Sequence, residues 1–116
     1  NLVLNNFRSL LKGLHLEGVQ VFSASPFRKV GKDGEKGVQV DLLLQTRRSL
    51  VLVEVKRQRE IGREVIDEMV EKVKRLPKRR DMSVRTALVY EGHLAPIVEA
   101  DGYFDAIVPF RRLLGL

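Results

Sequence analysis

The stretch that decides the fold is residues 40–56, VDLLLQTRRSLVLVEVK, in which two apolar runs are separated by a short polar turn. Each run has the length of a β-strand and is rich in valine and leucine, so the segment predicts a β-hairpin. Three charged residues, Asp41, Glu54 and Lys56, interrupt the apolar pattern far from the turn. Because burying charge is unfavourable without compensation, these residues are candidates for a functional site.

The register of this hairpin decides whether the charges meet. If the turn is centred on residues 47–48, Asp41 lies directly opposite Glu54. Opposed residues have Cβ atoms about 5 Å apart, and like charges at that distance destabilise the pair unless a partner neutralises them. Alternation along the strand places Lys56 on the same face as Glu54. This register requires a two-residue turn, and Arg-Arg is not a favoured turn sequence.

A divalent cation stabilises two adjacent carboxylates, and oxygen ligands suit Mg²⁺ or Mn²⁺. Asp41 and Glu54 are therefore predicted metal ligands. Lys56 beside them is placed to orient water, to assist its deprotonation or to stabilise charge on a phosphoryl group. A structural network of Asp, Glu and Lys also brings such residues together, and the residues alone leave both explanations open.

The rest of the chain alternates helices and strands without an internal repeat. The patterns predict helices over residues 2–14, 61–76, 94–100 and 111–114, and strands over residues 19–22, 38–45, 50–56, 84–90 and 104–108. The first of these strands is expected to end at Ser25-Pro26. The predicted helix 61–76 has the clearest apolar stripe, and Glu68–Lys72 and Glu71–Arg75 are predicted ion pairs on its surface.

This order predicts the architecture. Three consecutive strands favour antiparallel pairing, whereas a strand, a long helix and another strand require a right-handed parallel crossover. We expect one α/β domain over residues 1–116, with an αβββαβ core and a mixed sheet flanked by helices on both faces.

The amino-acid composition limits the classes of partner that we expect for this protein. The 116 residues include 21 Lys and Arg against 15 Asp and Glu, which gives a net charge of +6. A basic domain suits nucleic acid because binding to phosphates releases counterions, although a solvated basic surface explains the charge equally well. The chain has no cysteine, which excludes disulfides and thiolate metal sites and fits a cytoplasmic protein. No apolar run approaches the roughly 18 residues of a membrane span, so we expect no membrane association.

The motif and the order of elements resemble a known superfamily. Asp41 followed by Glu54-Val55-Lys56, on strands of an αβββαβ core, is similar to the PD-(D/E)XK, or restriction-endonuclease-like, nucleases. The resemblance implies a DNA phosphodiester hydrolase that uses Mg²⁺ or Mn²⁺. It also implies that Asp41, Glu54 and the carbonyl of Val55 bind the metal and that Lys56 is catalytic.

Within that superfamily, residues 37–44 and 50–56 look most like the nuclease-like domain that follows the motor in archaeal and bacterial AAA-type ATPases. This resemblance implies an ATPase domain in the same full-length chain. The chain begins at Asn1 rather than at a methionine, so we expect it to be part of a longer protein.

One feature departs from the superfamily pattern. Many active members carry an acidic residue on the first helix, but residues 1–16 contain no Asp or Glu. We expect the site to lie beside this helix, where Asn5 or Asn6 would face it as a weaker substitute for a carboxylate. Gln58, two residues beyond Lys56, is a further candidate neighbour of the site.

Basic residues cluster after the motif. Six of them are predicted to contact DNA phosphates: Arg57, Arg59, Arg63, Lys78, Arg79 and Arg80. The cations near the end of the long helix are equally explained by their favourable interaction with the helix dipole.

Three hypotheses remain. The first is a metal-dependent nuclease domain acting on DNA. The second is a catalytically inactive nuclease fold that binds nucleic acid or regulates an attached ATPase, and the third is a protein-interaction domain. Metal binding separates the first from the others, and salt-dependent DNA binding separates the second from the third. The sequence leaves the oligomeric state open.

Overall fold

The computed structural model of the chain describes residues 2–115. The helices are α1 (Leu2–Asn5), α2 (Phe7–Gly13), α3 (Glu64–Arg75), α4 (Pro96–Asp101) and α5 (Phe110–Leu113), and the strands are β1 (Ser23–Lys29), β2 (Val38–Gln45), β3 (Ser49–Ile61), β4 (Ser83–Leu94) and β5 (Ala106–Pro109). No helix within these residues is long and apolar enough to cross a membrane.

The strands form one mixed sheet in the order β1-β2-β3-β4-β5. The first three strands pair antiparallel, whereas β3 pairs with β4 and β4 with β5 in parallel. The parallel pairs need crossover connections, and α3 and α4 supply them. The expected α/β class and mixed sheet flanked by helices are therefore confirmed.

The predicted register of the β2–β3 hairpin is confirmed from the turn to the pair Leu42–Val53. Gln45 pairs with Leu50, and the ladder continues to the pair Leu42–Val53. Thr46 donates its backbone N–H to the Ser49 carbonyl at 2.9 Å, and its hydroxyl lies 2.6 Å from the Ser49 hydroxyl. These bonds close a two-residue turn at residues 47–48, so Thr46 and Ser49 compensate for the unfavourable Arg-Arg turn.

The first strand is shifted from its predicted position. We expected a strand over residues 19–22 that ends at Ser25-Pro26, but β1 is Ser23–Lys29 and runs through the proline. Proline cannot donate to a ladder and is tolerated on an edge strand or at a bulge. Pro26 satisfies both conditions, because β1 is an edge strand and its pairing with β2 is irregular between Ser25 and Phe27.

The irregular pairing of β1 with β2 changes the face of the sheet to which side chains of β2 belong. Phe27 pairs with Val40 and Ser25 with Leu43, so Pro26 lies opposite two residues of β2, Asp41 and Leu42. The extra residue is a β-bulge, which changes the alternation of side chains along β2. Val40 consequently packs with the core on the α3 side, whereas Leu42 packs with the core on the other side.

The sheet separates two apolar cores. The core on one face is built around α2 and α5, with Leu10, Val53 and Leu113 fully buried. The core on the other face is built around α3, where Val65 and Met69 are fully buried. Helices thus cover both faces of the sheet, as the sequence predicted.

Several boundaries differ from the prediction. The helix expected over residues 2–14 is divided at Asn6 into α1 and α2. Ile61, predicted as the first residue of the long helix, is instead the last residue of β3, and α3 begins at Glu64. Ile61 still belongs to the core beneath α3, which explains why it extended the apolar stripe in the sequence.

Candidate functional site

Five charged side chains meet where β2 and β3 face α3. We call Asp41, Glu54, Lys56, Glu68 and Lys72 the charged cluster. Asp41 comes from β2, Glu54 and Lys56 from β3, and Glu68 and Lys72 from α3. The structure therefore brings together the three residues of the sequence motif. Glu68 and Lys72, which are not part of that motif, join them from α3.

The two carboxyl groups of the motif interact directly. The carboxyl groups of Asp41 and Glu54 are close enough to shift each other's pKa. The β2–β3 ladder ends at Leu42–Val53, and just beyond it the backbone N–H of Val55 donates to Asp41 Oδ2 at 2.9 Å. Asp41 is thus fixed by the neighbouring strand at the point where the backbone pairing of the hairpin ends.

Glu54 is the most buried member of the charged cluster. Its side chain is only 4% exposed, and Lys72 donates to its Oε2 at 2.7 Å. Lys72 is 24% exposed, so this ion pair is largely removed from solvent. Burying the carboxylate without such a partner would be strongly unfavourable.

Lys56 is held by the helix rather than by the other motif residues. Its ammonium forms an ion pair with Glu68 Oε2 at 3.0 Å, and the Lys56 side chain is 25% exposed. Glu68 and Lys72 were expected to pair with each other along the helix surface. That prediction is wrong, because both side chains turn to partners on β3, whereas the predicted pair Glu71–Arg75 is present at 3.1 Å.

The charged cluster shifts the pKa values of its members. Burial raises the pKa of Glu54 from 4.5 to about 7, and the hydrogen bond with Asp41 adds to this rise against the opposing effect of Lys72. Burial alone would also raise the pKa of Asp41, but its hydrogen bonds with Glu54 and Val55 and the nearby lysines outweigh burial and lower it below 3.8. The pair of carboxyl groups therefore holds a proton at pH values where a free carboxyl group is ionised, and the two groups titrate as a coupled unit.

Lys56 remains protonated in this environment. Burial lowers the pKa of the Lys56 ammonium, but its hydrogen bond to Glu68 and the surrounding carboxylates reverse the effect and raise the pKa above 10.5. When the Asp41–Glu54 pair holds one proton, the charged cluster carries two negative and two positive charges. It is consequently close to electrically neutral.

The donor set is limited to a carboxylate pair. Among residues 2–115 no three Asp, Glu, His or Cys side chains are grouped as a metal site. The chemistry of Asp41 and Glu54 nevertheless fits one hard cation, because Mg²⁺ binds through one or two carboxylates and retains several waters. The ammonium of Lys72, 2.7 Å from Glu54 Oε2, shows that a cation is accommodated beside this pair.

The first helix is remote from this arrangement. Asn5 ends α1 and Asn6 follows it, and these helices pack with the core on the face opposite α3. The charged cluster therefore lies beside α3, not beside the first helix as expected, because Glu54 and Lys56 point to the α3 face. Asn5 and Asn6 belong to the layer on the other face of the sheet.

Gln58 turns away from the motif after a second irregularity. Its side chain is exposed and donates to the carbonyl of Glu60 at 2.9 Å. The β3–β4 register shifts between Arg57 and Glu60, opposite Gly92. A bulge interrupts the alternation of side chains along a strand. The spacing of two residues between Lys56 and Gln58 therefore does not imply that the two side chains are neighbours.

The six predicted phosphate contacts fall into two groups. Arg57, Arg59 and Arg63 lie at the end of β3, where Arg57 pairs with Glu91 at 3.2 Å and Arg63 with Asp101 at 3.2 Å. Arg57 also stacks over the ring of Phe110, on the face of the sheet opposite the charged cluster.

The second group, residues 78–80, follows α3 and precedes β4. Ser83 pairs with Ser49 at the start of β3, five residues before Glu54, so this loop lies about 17 Å from Glu54 along the strand. Within the described residues Arg79 pairs with Asp81 at 3.5 Å, whereas Lys78 and Arg80 form no ion pair. The six basic residues are therefore not one patch.

The sequence did contain a signal for Glu68 and Lys72. They lie three residues after Val65 and Met69, the buried positions of α3, so they flank the stripe that faces the sheet. Charged residues on this side of a crossover helix meet the strand that the helix covers. Comparisons with known proteins add nothing to this assignment: no family model, no curated protein and no solved structure matches the chain.

Proposed function

We propose that this chain is a metal-dependent, restriction-endonuclease-like domain that hydrolyses phosphodiester bonds in DNA. One observation carries the proposal: Asp41, Glu54 and Lys56 lie on one face of adjacent strands in the register that a carboxylate pair with a neighbouring lysine requires. The order of the sheet, with three antiparallel strands followed by a parallel crossover, is the arrangement that the resemblance implies.

Asp41 and Glu54 would hold one Mg²⁺ or Mn²⁺, with the carbonyl of Val55 as a further ligand. A bound ion supplies Lewis-acid stabilisation of the charge on phosphoryl oxygens. The protein holds Asp41 in place through the Val55 N–H, so this carboxylate is already oriented and ionised. Glu54 must lose its proton to act as a ligand, which favours metal binding at and above neutral pH.

Lys56 would act as a charged hydrogen-bond donor. Its raised pKa keeps the ammonium protonated, so it stabilises negative charge on a phosphoryl or leaving oxygen rather than acting as a base. It is partly exposed while Glu54 is buried, so Lys56 lies on the side from which a phosphate approaches. Glu68 holds its ammonium in position at 3.0 Å.

DNA would approach the partly exposed side of the charged cluster at Lys56 and would use basic residues that form no ion pair among the described residues. Arg59, Lys78 and Arg80 take part in no ion pair among the described residues and are exposed at the two ends of β3. Such side chains interact with phosphates without selecting a sequence. We place this domain next to an ATPase domain of the same full-length protein, as the resemblance implies.

A second function is favoured by one observation, the ion pair between Lys72 and Glu54. Because Lys72 already compensates the charge of the buried Glu54 carboxylate, this charge does not require a metal. A nuclease fold that binds nucleic acid or regulates an ATPase without cleaving DNA is consistent with this arrangement. Metal binding and turnover separate the two functions.

The test combines thermal melts with a cleavage assay on plasmid DNA. Mn²⁺ should raise the melting temperature of the wild-type protein by mass action. Asp41→Asn should still fold without metal, because the amide oxygen of Asn accepts from Val55, but it should lose the favourable interactions of the ionised Asp41 with Lys56 and Lys72. It should lose both the metal-induced shift and cleavage.

Lys56→Ala provides the contrasting variant. It should retain the metal-induced shift and lose cleavage, because the proposed role of Lys56 is in the transition state. If wild type shows neither a response to metal nor cleavage of DNA, the charged cluster is structural and the nuclease proposal fails.

A further inference from the structure

We propose that Lys72 is an internal competitor of the divalent cation, so that its ammonium must leave Glu54 before the metal binds there. This inference rests on the proposed function and extends it: Lys72 sets the metal affinity of the site. No residue of the sequence motif has this role, because Lys72 comes from α3 and reaches the carboxylate pair from the opposite layer.

The distances explain the competition. Lys72 Nζ lies 2.7 Å from Glu54 Oε2. A Mg²⁺ ion bound to the same oxygen would lie at about 2.1 Å from it, so the two cations would be at most about 4.8 Å apart. Because Glu54 is almost completely buried, solvent screens this repulsion poorly. The ammonium and the metal therefore exclude each other unless the lysine side chain withdraws.

Lys72 has a place to which it can withdraw. Its side chain is 24% exposed and has a flexible four-carbon stem. Glu68 lies one helical turn earlier on α3, at the spacing at which a glutamate and a lysine pair. Displacement of Lys72 thus breaks one ion pair without leaving its ammonium buried and unpaired.

In the wild-type protein Lys72 compensates the negative charge of Glu54 without a metal. Lys72 provides the positive charge nearest to Glu54, and removing it leaves the carboxyl pair with Lys56 as the remaining cation of the charged cluster. Lys56 is itself bound to Glu68. A divalent ion would then compete for Glu54 with a proton alone and no longer with an ammonium, so at pH 8 metal binding should become tighter when Lys72 is replaced by a neutral residue.

The experiment measures Mn²⁺ binding by calorimetry and by the shift in melting temperature at pH 8. Lys72→Met should lower the Mn²⁺ dissociation constant by about tenfold or more relative to wild type. Lys72→Arg retains the charge and should not tighten binding. Lys74→Met is the matched control, because Lys74 is an exposed lysine on the same helix that pairs with Glu71, and its replacement should leave the dissociation constant unchanged.

The outcomes separate this inference from the proposed function. If wild type binds Mn²⁺ and Lys72→Met binds it no more tightly, the inference is overturned and the nuclease proposal stands. If only Lys72→Met binds Mn²⁺, the inference is supported and the native protein is not a metal-dependent enzyme. If neither protein binds Mn²⁺, both are overturned. Lys72→Gln serves as the second neutral variant if Lys72→Met does not fold.

Discussion

Replacing Glu54 with glutamine should remove a large part of the dependence of stability on pH between pH 5 and pH 8.5. Glu54 is buried beside Asp41, and its pKa is raised from 4.5 to about 7 in the folded protein. The unfolded chain gives the group its ordinary pKa. Folding and protonation of Glu54 are therefore linked, whereas glutamine is neutral at every pH.

The sign follows from the two pKa values. Between pH 4.5 and about 7 the folded protein retains a proton that the unfolded chain has lost, so the free energy of unfolding falls as the pH rises. The contribution is complete below pH 4.5 and absent above about pH 8. A rise from 4.5 to about 7 corresponds to about 3 kcal/mol, or roughly 10 °C in melting temperature for a chain of this size.

The assay is urea unfolding of wild type and Glu54→Gln in EDTA at half-unit pH intervals. The lowered pKa of Asp41 places its own titration below this range. Glu17→Gln is the control, because Glu17 is exposed and forms no ion pair among the described residues. Parallel pH profiles for wild type and Glu54→Gln would refute the linked titration and the burial argument behind it.

Two further predictions test the strand bulge and the DNA contacts. Gly92→Ala should destabilise the fold by about 3 kcal/mol or more, because Gly92 has φ +128° and an added Cβ would lie 1.7 Å from the carbonyl oxygen of Gln58. Gly102→Ala, which has φ +74° in open space, should be destabilised less, and equal losses in urea unfolding would contradict the steric explanation. Duplex DNA should bind with an affinity that falls steeply as the salt concentration rises. Arg80→Ala should reduce the slope of log K against log salt concentration by about 1. Lys12→Ala is the control and should leave the slope unchanged, because Lys12 lies on α2 in the other layer. DNA binding that is insensitive to salt would count against both the proposed nuclease and the proposed binding module.

The hairpin shows how far local sequence determines the structure. Apolar runs of strand length and a two-residue turn are sufficient to predict the register, which holds from the turn to the pair Leu42–Val53, the last pair before Asp41 and Glu54. These relations concern residues close together in the chain, whose geometry follows from alternation along a strand. The alternating helices and strands likewise predict the mixed sheet, because parallel strands require crossover helices.

The position of the first strand could not be predicted from neighbouring residues in the sequence. Ser25-Pro26 has the composition of a turn, yet it lies within β1 because an edge strand opposite a bulge tolerates proline. Neither the edge position nor the bulge follows from neighbouring residues. Both depend on how β1 pairs with β2 across the intervening loop.

The sequence by itself therefore determined the fold class, the hairpin register and the meeting of Asp41, Glu54 and Lys56 on one face. Only the tertiary structure decided that α3 covers that face and that Lys72 pairs with Glu54 while Glu68 holds Lys56. The physical reason is that charge compensation and burial arise from contacts between layers. Residues in strand and helix are distant in sequence, and their interaction depends on the way the crossover packs against the sheet.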